Sequence, residues 1–383
     1  MRAIVIGGGV GGATAALALR RIGAGVTVYE AYEDPAGDVG AWISLAANGL
    51  RAVDALGCLD AVRRAGFEIE RQRMWSAGGM LIADVARGRR ERDPLRSVSL
   101  LRGRLVAVLR EAAAEAGARI VTGARLAGVA ETGTGVLATF EDGSTDTADV
   151  LVAADGIWST VRGQLDPAAP VPQYAGLYSV SGVSELDGID PGVFNLTFAR
   201  NGAFLHLRAG DEVWWSAQVA SPVTPVRAGV ADADRLAALA DAFREEAVPA
   251  AIIAATTALQ PTTVMHVLEP VTTWHSERIV IIGDAAHPVG AGQGASMAVE
   301  DGLTLAAALR AEPSIAGALR RYDAERRPRI AKVLGTAEDN RGAKRAGPVG
   351  RRLRAAMMKI FVPMFYERAT AWLYAYEPAK LGQ

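Results

Sequence analysis

The sequence predicts an α/β fold: a nucleotide-binding unit on a parallel sheet, an inserted antiparallel β-sheet, and C-terminal helices. Three observations predict it. The chain opens on a short apolar run, a glycine-rich turn and a helical stretch, the start of a βαβ unit. Two further apolar runs end in an aspartate, Asp155 and Asp284, where open α/β sheets bind their ligands. Between them, 172–220 turns to aromatic and β-branched residues with strand-like alternation.

In chain order, 2–6 reads as a buried strand, 7–12 as the glycine turn, 13–22 as a helix and 26–30 as the second strand. Helical patterns follow at 48–65 and 103–117, the second ending on Gly117 as a C-cap. Residues 119–154 read as a small β meander with a turn at Glu141-Asp142-Gly143-Ser144. Strands are expected at 177–184, 193–199, 202–208 and 212–219, then helices at 232–246 and 248–258. Strands return at 262–268 and 278–283, before helices at 294–311, 313–339 and 349–376. Pro167, Pro170 and Pro172 mark a boundary between units. The expected organisation is a discontinuous cofactor unit at 1–70, 97–171 and 269–345, a substrate unit at 71–96 and 172–268, and a helical segment at 346–383.

Composition narrows the chemistry. With 383 residues, 50% hydrophobic and 22% charged, the chain can build two or three packed units. A net charge of −1 gives no broad field for nucleic acid. Lys332, Lys344, Lys359 and Lys380 are the only lysines, so no mechanism can use a lysine in the first 331 residues. Cys58 is the only cysteine, and His206, His266, His275 and His287 show no metal-ligand spacing, so no metal site is expected. The absence of disulfides fits a reducing cytoplasm, the expected location. No run reaches the ~20 apolar residues of a membrane span. Residues 355–376 are apolar and aromatic but interrupted by Lys359, Pro363, Glu367 and Arg368. They read as an amphipathic helix against the protein body, with a membrane-surface or dimer contact as the alternative.

Gly7-Gly8-Gly9-Val10-Gly11-Gly12 satisfies G-x-G-x-x-G. Gly7 permits the tight turn, Gly9 lets backbone approach a pyrophosphate, and Gly12 allows close helix–strand packing. The following helix offers its N–H groups to the phosphates. Glu30, at the end of the next strand, suits a ribose 2′-OH and therefore FAD or NAD. Asp284 can accept from ribityl hydroxyls. The segment Gly290-Ala291-Gly292-Gln293-Gly294-Ala295-Ser296-Met297 opens a helix whose backbone N–H groups can meet a flavin's pyrimidine edge.

These motifs, with Asp155-Gly156 and Gly283-Asp284-Ala285-Ala286-His287-Pro288, occur in the order and spacing of one family. The chain resembles a class A flavoprotein monooxygenase of the para-hydroxybenzoate hydroxylase fold, over about residues 1–340. The resemblance implies a Rossmann-like FAD-binding domain and NADH or NADPH as a transient co-substrate. It implies oxygen transfer from O2 through a flavin hydroperoxide. Gly9, Gly11 and Gly12 would serve the pyrophosphate, Glu30 with Ala31 the adenosine ribose, Arg102 the phosphates and ribityl chain, and Leu126 the adenine. Asp155 is associated with both FAD and NAD(P)H. Asp284 would hold the ribityl, and Gly292, Gln293, Gly294, Ala295, Ser296 and Met297 would flank the isoalloxazine, with Pro288 beside it. In Gly40-Ala41-Trp42-Ile43-Ser44-Leu45-Ala46-Ala47-Asn48 the chain departs from the family, which usually has a small residue at Trp42 and proline at Ala47. Trp42, Ile43 and Ser44 would adjoin the ring; Trp42 either narrows the pocket or points into the core. Met297 stands where many members have asparagine.

The inserted sheet should wall the substrate. Phe204, His206 and Arg208 share one face of 202–208, and Ala203, Leu205 and Leu207 the other. In 212–219, Trp214, Ser216 and Gln218 oppose Val213, Trp215, Ala217 and Val219. If the first face looks at the flavin, His206 or Arg208 deprotonates or holds a phenol or carboxylate. If the other does, the pocket is aromatic and takes an apolar aromatic, terpenoid or polyketide-like substrate for hydroxylation or epoxidation; the few charges favour this. Halogenation is set aside, because the lysine and the W-x-W-x-I-P segment it needs are missing. A reductase or a non-catalytic FAD carrier on the same fold are the alternatives. A monomer or homodimer is expected, with a small organic substrate and no nucleic acid.

Overall fold

The computed structural model describes residues 1–33, 41–225, 229–290, 292–344 and 348–381. Gly40, Ala291 and the expected boundary at 345/346 lie outside the described residues. In chain order, β1 (Arg2–Ile6), α1 (Val10–Arg21) and β2 (Gly25–Tyr29) lead to β3 (Trp42–Leu45), α2 (Ala47–Ala55), α3 (Leu59–Arg64) and β4 (Phe67–Ile69). Next come β5 (Arg71–Ser76), β6 (Leu81–Ala86), β7 (Ser97–Leu101), α4 (Arg102–Glu115), β8 (Arg119–Val121), β9 (Leu126–Glu131), β10 (Val136–Phe140), β11 (Thr145–Ala148) and β12 (Val150–Ala153). After α5 (Thr160–Leu165) follow β13 (Gln173–Ser184), β14 (Val193–Ala199), β15 (Gly202–Ala209), β16 (Glu212–Ala220), α6 (Asp232–Ala242), α7 (Ala247–Ala254), β17 (Thr256–Leu259), β18 (Thr263–Val267) and β19 (Ile279–Ile281). A short 3-10 turn at Gly283–Ala285 precedes α8 (Gly294–Ala311), α9 (Ile315–Lys344) and α10 (Pro348–Tyr374).

The apolar runs of β1, β12 and β19 are buried because they lie side by side in a parallel sheet of order β19-β12-β1-β2-β8. Burial on both faces is what makes such strands continuously hydrophobic. The meander expected over 119–154 is smaller than that span. Only β9, β10 and β11 form it, while β8 and β12 belong to the parallel sheet. Two helical stretches also differ. Gly57, at φ +66°, breaks 48–65 into α2 and α3. The stretch 248–258 ends as α7 at Ala254, and Thr256–Leu259 pairs with β13 as β17.

The second large sheet runs β17-β13-β16-β15-β14-β5-β6, with β18 also on β13. The excursion at 71–96 therefore builds one sheet with 172–268, through the parallel pairing of β5 and β14. Register assigns each residue to a face. Asn195, His206 and Trp215 lie across from one another on one face, as do Thr197, Phe204 and Ala217. Val180, Phe204, Val213, Trp215 and Ala217 from that face pack with Leu239, Phe243, Ile252 and Ile253 of the α6–α7 region. The opposite face carries Phe194, Leu196, Leu205, Leu207, Trp214 and Val183, which pack with Trp42, Phe67 and Leu101.

His206 is thus sealed under α6 and α7, 3% exposed, with Nδ1 lacking a hydrogen-bond partner. Burial pulls its pKa down to about 4, from 6.5. Between those values the unfolded chain takes up a proton that the folded chain refuses. Stability therefore falls as pH drops through that window, by about 3 kcal/mol at most. His206→Leu should flatten the loss of thermal stability between pH 6.5 and 4. An unchanged slope of melting temperature against pH would contradict the assignment.

Candidate active site

The glycine turn is built for contact with a ligand's phosphates. Gly7 has φ +95°, and a Cβ there would lie 2.4 Å from the Ala154 carbonyl oxygen. A Cβ on Gly12 would lie 1.7 Å from the Gly7 oxygen, so α1 can approach the turn only through glycine. A Cβ on Gly11 would lie 3.6 Å from both the Ala154 and Ala298 methyl carbons. A side chain at Gly9 would meet only the Arg102 guanidinium, 3.9 Å away. That guanidinium makes no hydrogen bond or ion pair among the described residues. It starts α4, and the β3–β7 pairing of Trp42 with Leu101 places it at the cleft. The Glu30 carboxylate accepts from the Gly8 N–H at 2.6 Å and the Tyr32 N–H at 3.0 Å. Ala31 follows it, and the Glu30 carbonyl accepts from Ala124 N. Leu126, two residues on, is buried at the start of β9 beside this end of the cleft.

Asp155 follows β12 directly. One carboxylate oxygen accepts from Val161 N at 3.2 Å, while the other is buried without a partner. Burial raises its pKa, against the opposing hydrogen bonds of Ser159 and Val161. Arg162, from the same segment, donates to the carbonyls of Ala285 at 3.0 Å and Ile157 at 2.7 Å. It ties the segment after β12 to the one after β19. Asp284 is solvent-accessible yet crowded by protein on the cleft floor. That crowding raises its pKa, while His287 and Arg102 oppose the shift. Its carboxylate lies 3.8 Å from where a Gly294 Cβ would be, at the mouth of α8.

Gly292, at φ +105°, turns the chain into α8. The N–H groups of Gly294, Ala295 and Ser296 lie in the first turn and have no intrahelical acceptor. Met297 is different: its N–H donates to the Gln293 carbonyl and its side chain is fully buried. Its N–H is therefore used within the helix, unlike those of the three residues before it. Ser296 is also buried, against Gly49 of α2.

Behind this turn lies a buried charge network that sequence reasoning missed. Glu300, Asp301 and Arg326 are each 0% exposed. Asp301 accepts from Gly283 N at 2.8 Å, His287 Nε2 at 2.7 Å and Arg326 Nε at 2.7 Å. Burial alone would raise the Asp301 pKa, but His287 and Arg326 outweigh it and hold it at about 2. As an ionised acceptor, Asp301 fixes the His287 proton on Nε2. Glu300 accepts from Arg326, from Arg329 through two nitrogens, and from Asn48 at 2.9 Å. Asn48 also donates to the Gln293 side chain at 3.2 Å, and Arg326 reaches the Met297 carbonyl at 3.3 Å. The only signal in the sequence is an adjacent acidic pair inside an otherwise apolar helix.

Trp42 packs edge-on against Phe194 of β14, with ring centroids 5.6 Å apart. It bridges β3 to the inserted sheet, and its indole N–H is buried without a partner. Ile43 packs on the main core, and the Ser44 hydroxyl pairs with Ser99 at 2.6 Å. Pro288 is half-buried directly after His287. His206 and Arg208 lie on the sheet face turned away from Trp42 and Leu101. The catalytic expectation for them is corrected: His206 is sealed by helices, and Arg208 donates to the carbonyls of Gly210 and Leu186. Arg87, which sequence reasoning overlooked, lies beside Phe194 of the face that meets Trp42. Its guanidinium lies 3.8 Å over the Phe194 ring, donates to Gln72, and has no carboxylate partner among the described residues.

Arg326→Met should leave two buried carboxylates short of a partner and cost about 3–5 kcal/mol. Calorimetric unfolding checks this, and a loss under 1 kcal/mol would show the network to be incidental.

The fit to FAD is close: a glycine cradle for a pyrophosphate, an arginine with no ion pair among the described residues, an orphaned Asp155 oxygen and a helix mouth beside Asp284. Comparisons with known proteins agree. The family model described as FAD binding domain matches residues 1–337. The chain is 31% identical over 357 residues to Aurachin C monooxygenase/isomerase of Stigmatella aurantiaca, spanning 91% of this chain and 89% of that one. It is 32% identical over 347 residues to the FAD-dependent urate hydroxylase of Klebsiella pneumoniae, spanning 87% and 88%. The structure of Klebsiella pneumoniae HpxO with FAD and uric acid superposes at TM-score 0.84 with 24% identity, covering 100% of this chain and 96% of that one. This likeness speaks for the fold. The sequence relatives and the family model speak for the chemistry, and the chain belongs to the FAD binding domain family of class A FAD-dependent monooxygenases.

Proposed function

We propose that this enzyme transfers one oxygen atom to a small, apolar, ring-bearing organic molecule, with NADH or NADPH as the transient reductant. One observation carries the reading. The sheet face that meets Trp42 and Leu101 offers Val183, Leu196, Leu205 and Trp214, with the hydroxyls of Ser179, Ser181 and Ser216 beside them, while Glu212 sits exposed at the start of β16 and accepts from the Trp214 indole N–H at 3.2 Å. Leu196, Leu205 and Val183 remain partly exposed on an otherwise buried face, as the lining of a space between sheet and cleft does.

FAD supplies the hard chemistry when bound, activating O2 after reduction by the nicotinamide. The chain's residues do the rest. Gly7–Gly12 and Arg102 would hold the phosphates, and Asp284 the ribityl hydroxyls. The N–H groups of Gly294, Ala295 and Ser296 would face the ring's pyrimidine edge and would favour negative charge there. Trp42, Leu101 and the leucines of the sheet exclude water and orient the substrate ring. The carboxylate of this face, Glu212, lies exposed at the strand end and is engaged by the Trp214 indole, so attack falls on an electron-rich ring carbon or an alkene, neither of which needs a proton removed first.

Arg87 adds a direction to the pocket. A guanidinium stacked on Phe194 without a counter-ion favours a substrate whose substituent accepts hydrogen bonds, such as a carbonyl, hydroxyl or carboxylate. The test uses the FAD-loaded enzyme with naphthalene, 2-naphthol, 2-naphthoate and 2-naphthylmethylamine. Binding is read from the flavin absorbance and turnover from NAD(P)H oxidation. The naphthol or the naphthoate should bind at least tenfold more tightly than the amine, and Arg87→Met should abolish that preference while flavin stays bound. Equal affinity across the panel, unchanged in the variant, would contradict the reading.

A further inference from the structure

Helix α10 leaves an apolar stripe uncovered. Val362 and Tyr366 turn inward and pack with Met74, Ile82, Ala83, Val85 and Phe198 of the second sheet. Phe361, Met364 and Phe365, at i, i+3 and i+4, share the adjoining helix face. They are 51%, 69% and 45% exposed. The Phe361 and Phe365 rings stack with centroids 6.0 Å apart, so the stripe is ordered rather than a set of scattered side chains. The tip of the β5–β6 hairpin extends it: Met80 and Leu81 are each 40% exposed, and Lys359 Nζ lies 3.9 Å from Met80 Sδ. Aromatic and methionine side chains presented together at this exposure mark an interaction surface.

Charge identifies the occupant. From 340 to 366 the sequence holds Arg341, Lys344, Arg345, Arg351, Arg352, Arg354 and Lys359, and no acidic residue. Without that segment the formal charge of the chain is −8 rather than −1. Four of the seven precede Phe361 on α10 itself. A basic run joined to exposed phenylalanine and methionine on one helix suits an anionic lipid surface, which takes the apolar groups into the headgroup boundary and the cations at its phosphates. Nucleic acid has no use for the apolar stripe, and a symmetric self-contact would set like charges together. Among the described residues no helix is long and apolar enough to cross a membrane, so the contact is peripheral.

We propose that α10 and the β5–β6 tip dock this enzyme on the surface of anionic membranes. The test is flotation of the FAD-loaded full chain with phosphatidylcholine vesicles, with and without phosphatidylglycerol. The protein should float with the anionic vesicles only, and salt should release it. Phe361→Ser with Phe365→Ser, and separately Arg351→Gln with Arg352→Gln and Arg354→Gln, should each lower partitioning at least tenfold. Retained flavin absorbance and melting temperature show that the variants fold. Absence of flotation with either vesicle would overturn the proposal. So would a dimer, seen by sedimentation equilibrium, that the phenylalanine variant dissociates.

Discussion

The pairing of Arg326 with Glu300 and Asp301 is the constraint on which the site rests. Two adjacent carboxylates on α8 face two guanidinium groups from α9, all but Arg329 fully out of solvent. Charges this deep are stable only when every lone pair and proton is used. Here they are used by the functional segments themselves. Asp301 takes the Gly283 N–H and His287, which fixes the turn carrying Asp284. Glu300 takes Asn48, which in turn holds Gln293 at the mouth of α8. Arg329 reaches on to the carbonyls of Trp372 and Leu373, so α10 is tied to the same network. The cleft is thus positioned by polar geometry from behind.

A second constraint comes from register. The inserted sheet has two largely apolar faces, and a one-residue shift would exchange them. One face is covered by α6 and α7, where Phe204, Trp215 and Phe243 pack ring against ring. Its partner meets Trp42 and Leu101 and is the face proposed as the wall of the reaction space. Trp42 is the hinge of this arrangement. Its indole packs against Phe194, and Phe194 in turn carries Arg87.

Features set by local rules were legible in the sequence. A glycine with positive φ, an aspartate at a strand end and an N-terminal helix turn need only a few residues of context. Gly7–Gly12, Asp155 and Asp284 stand where the pattern places them relative to their strands and helices. Features set by distant pairing were not legible. Arg326 and Asp301 are 25 residues apart, and Asn48 and Glu300 are 252 apart. Alternation divided His206 from Leu205 but carried no information on which face the helices would cover. The same limit placed β8 and β12 in the meander: period two describes a strand, not its neighbours. The unbroken apolar run of β12, Val150–Ala153, was the available clue to a central parallel strand.

The central claim is oxygen transfer in an apolar space between the glycine-turn cleft and the Leu196–Leu205 face. Turnover of the FAD-loaded enzyme under oxygen-18 gas, with NADH or NADPH and a ring substrate, measures it most directly through the product mass. The account predicts one labelled oxygen atom in the product and the second atom released as water. A product oxygen drawn from solvent, or flavin reoxidation that yields only hydrogen peroxide with every ring substrate, would contradict it.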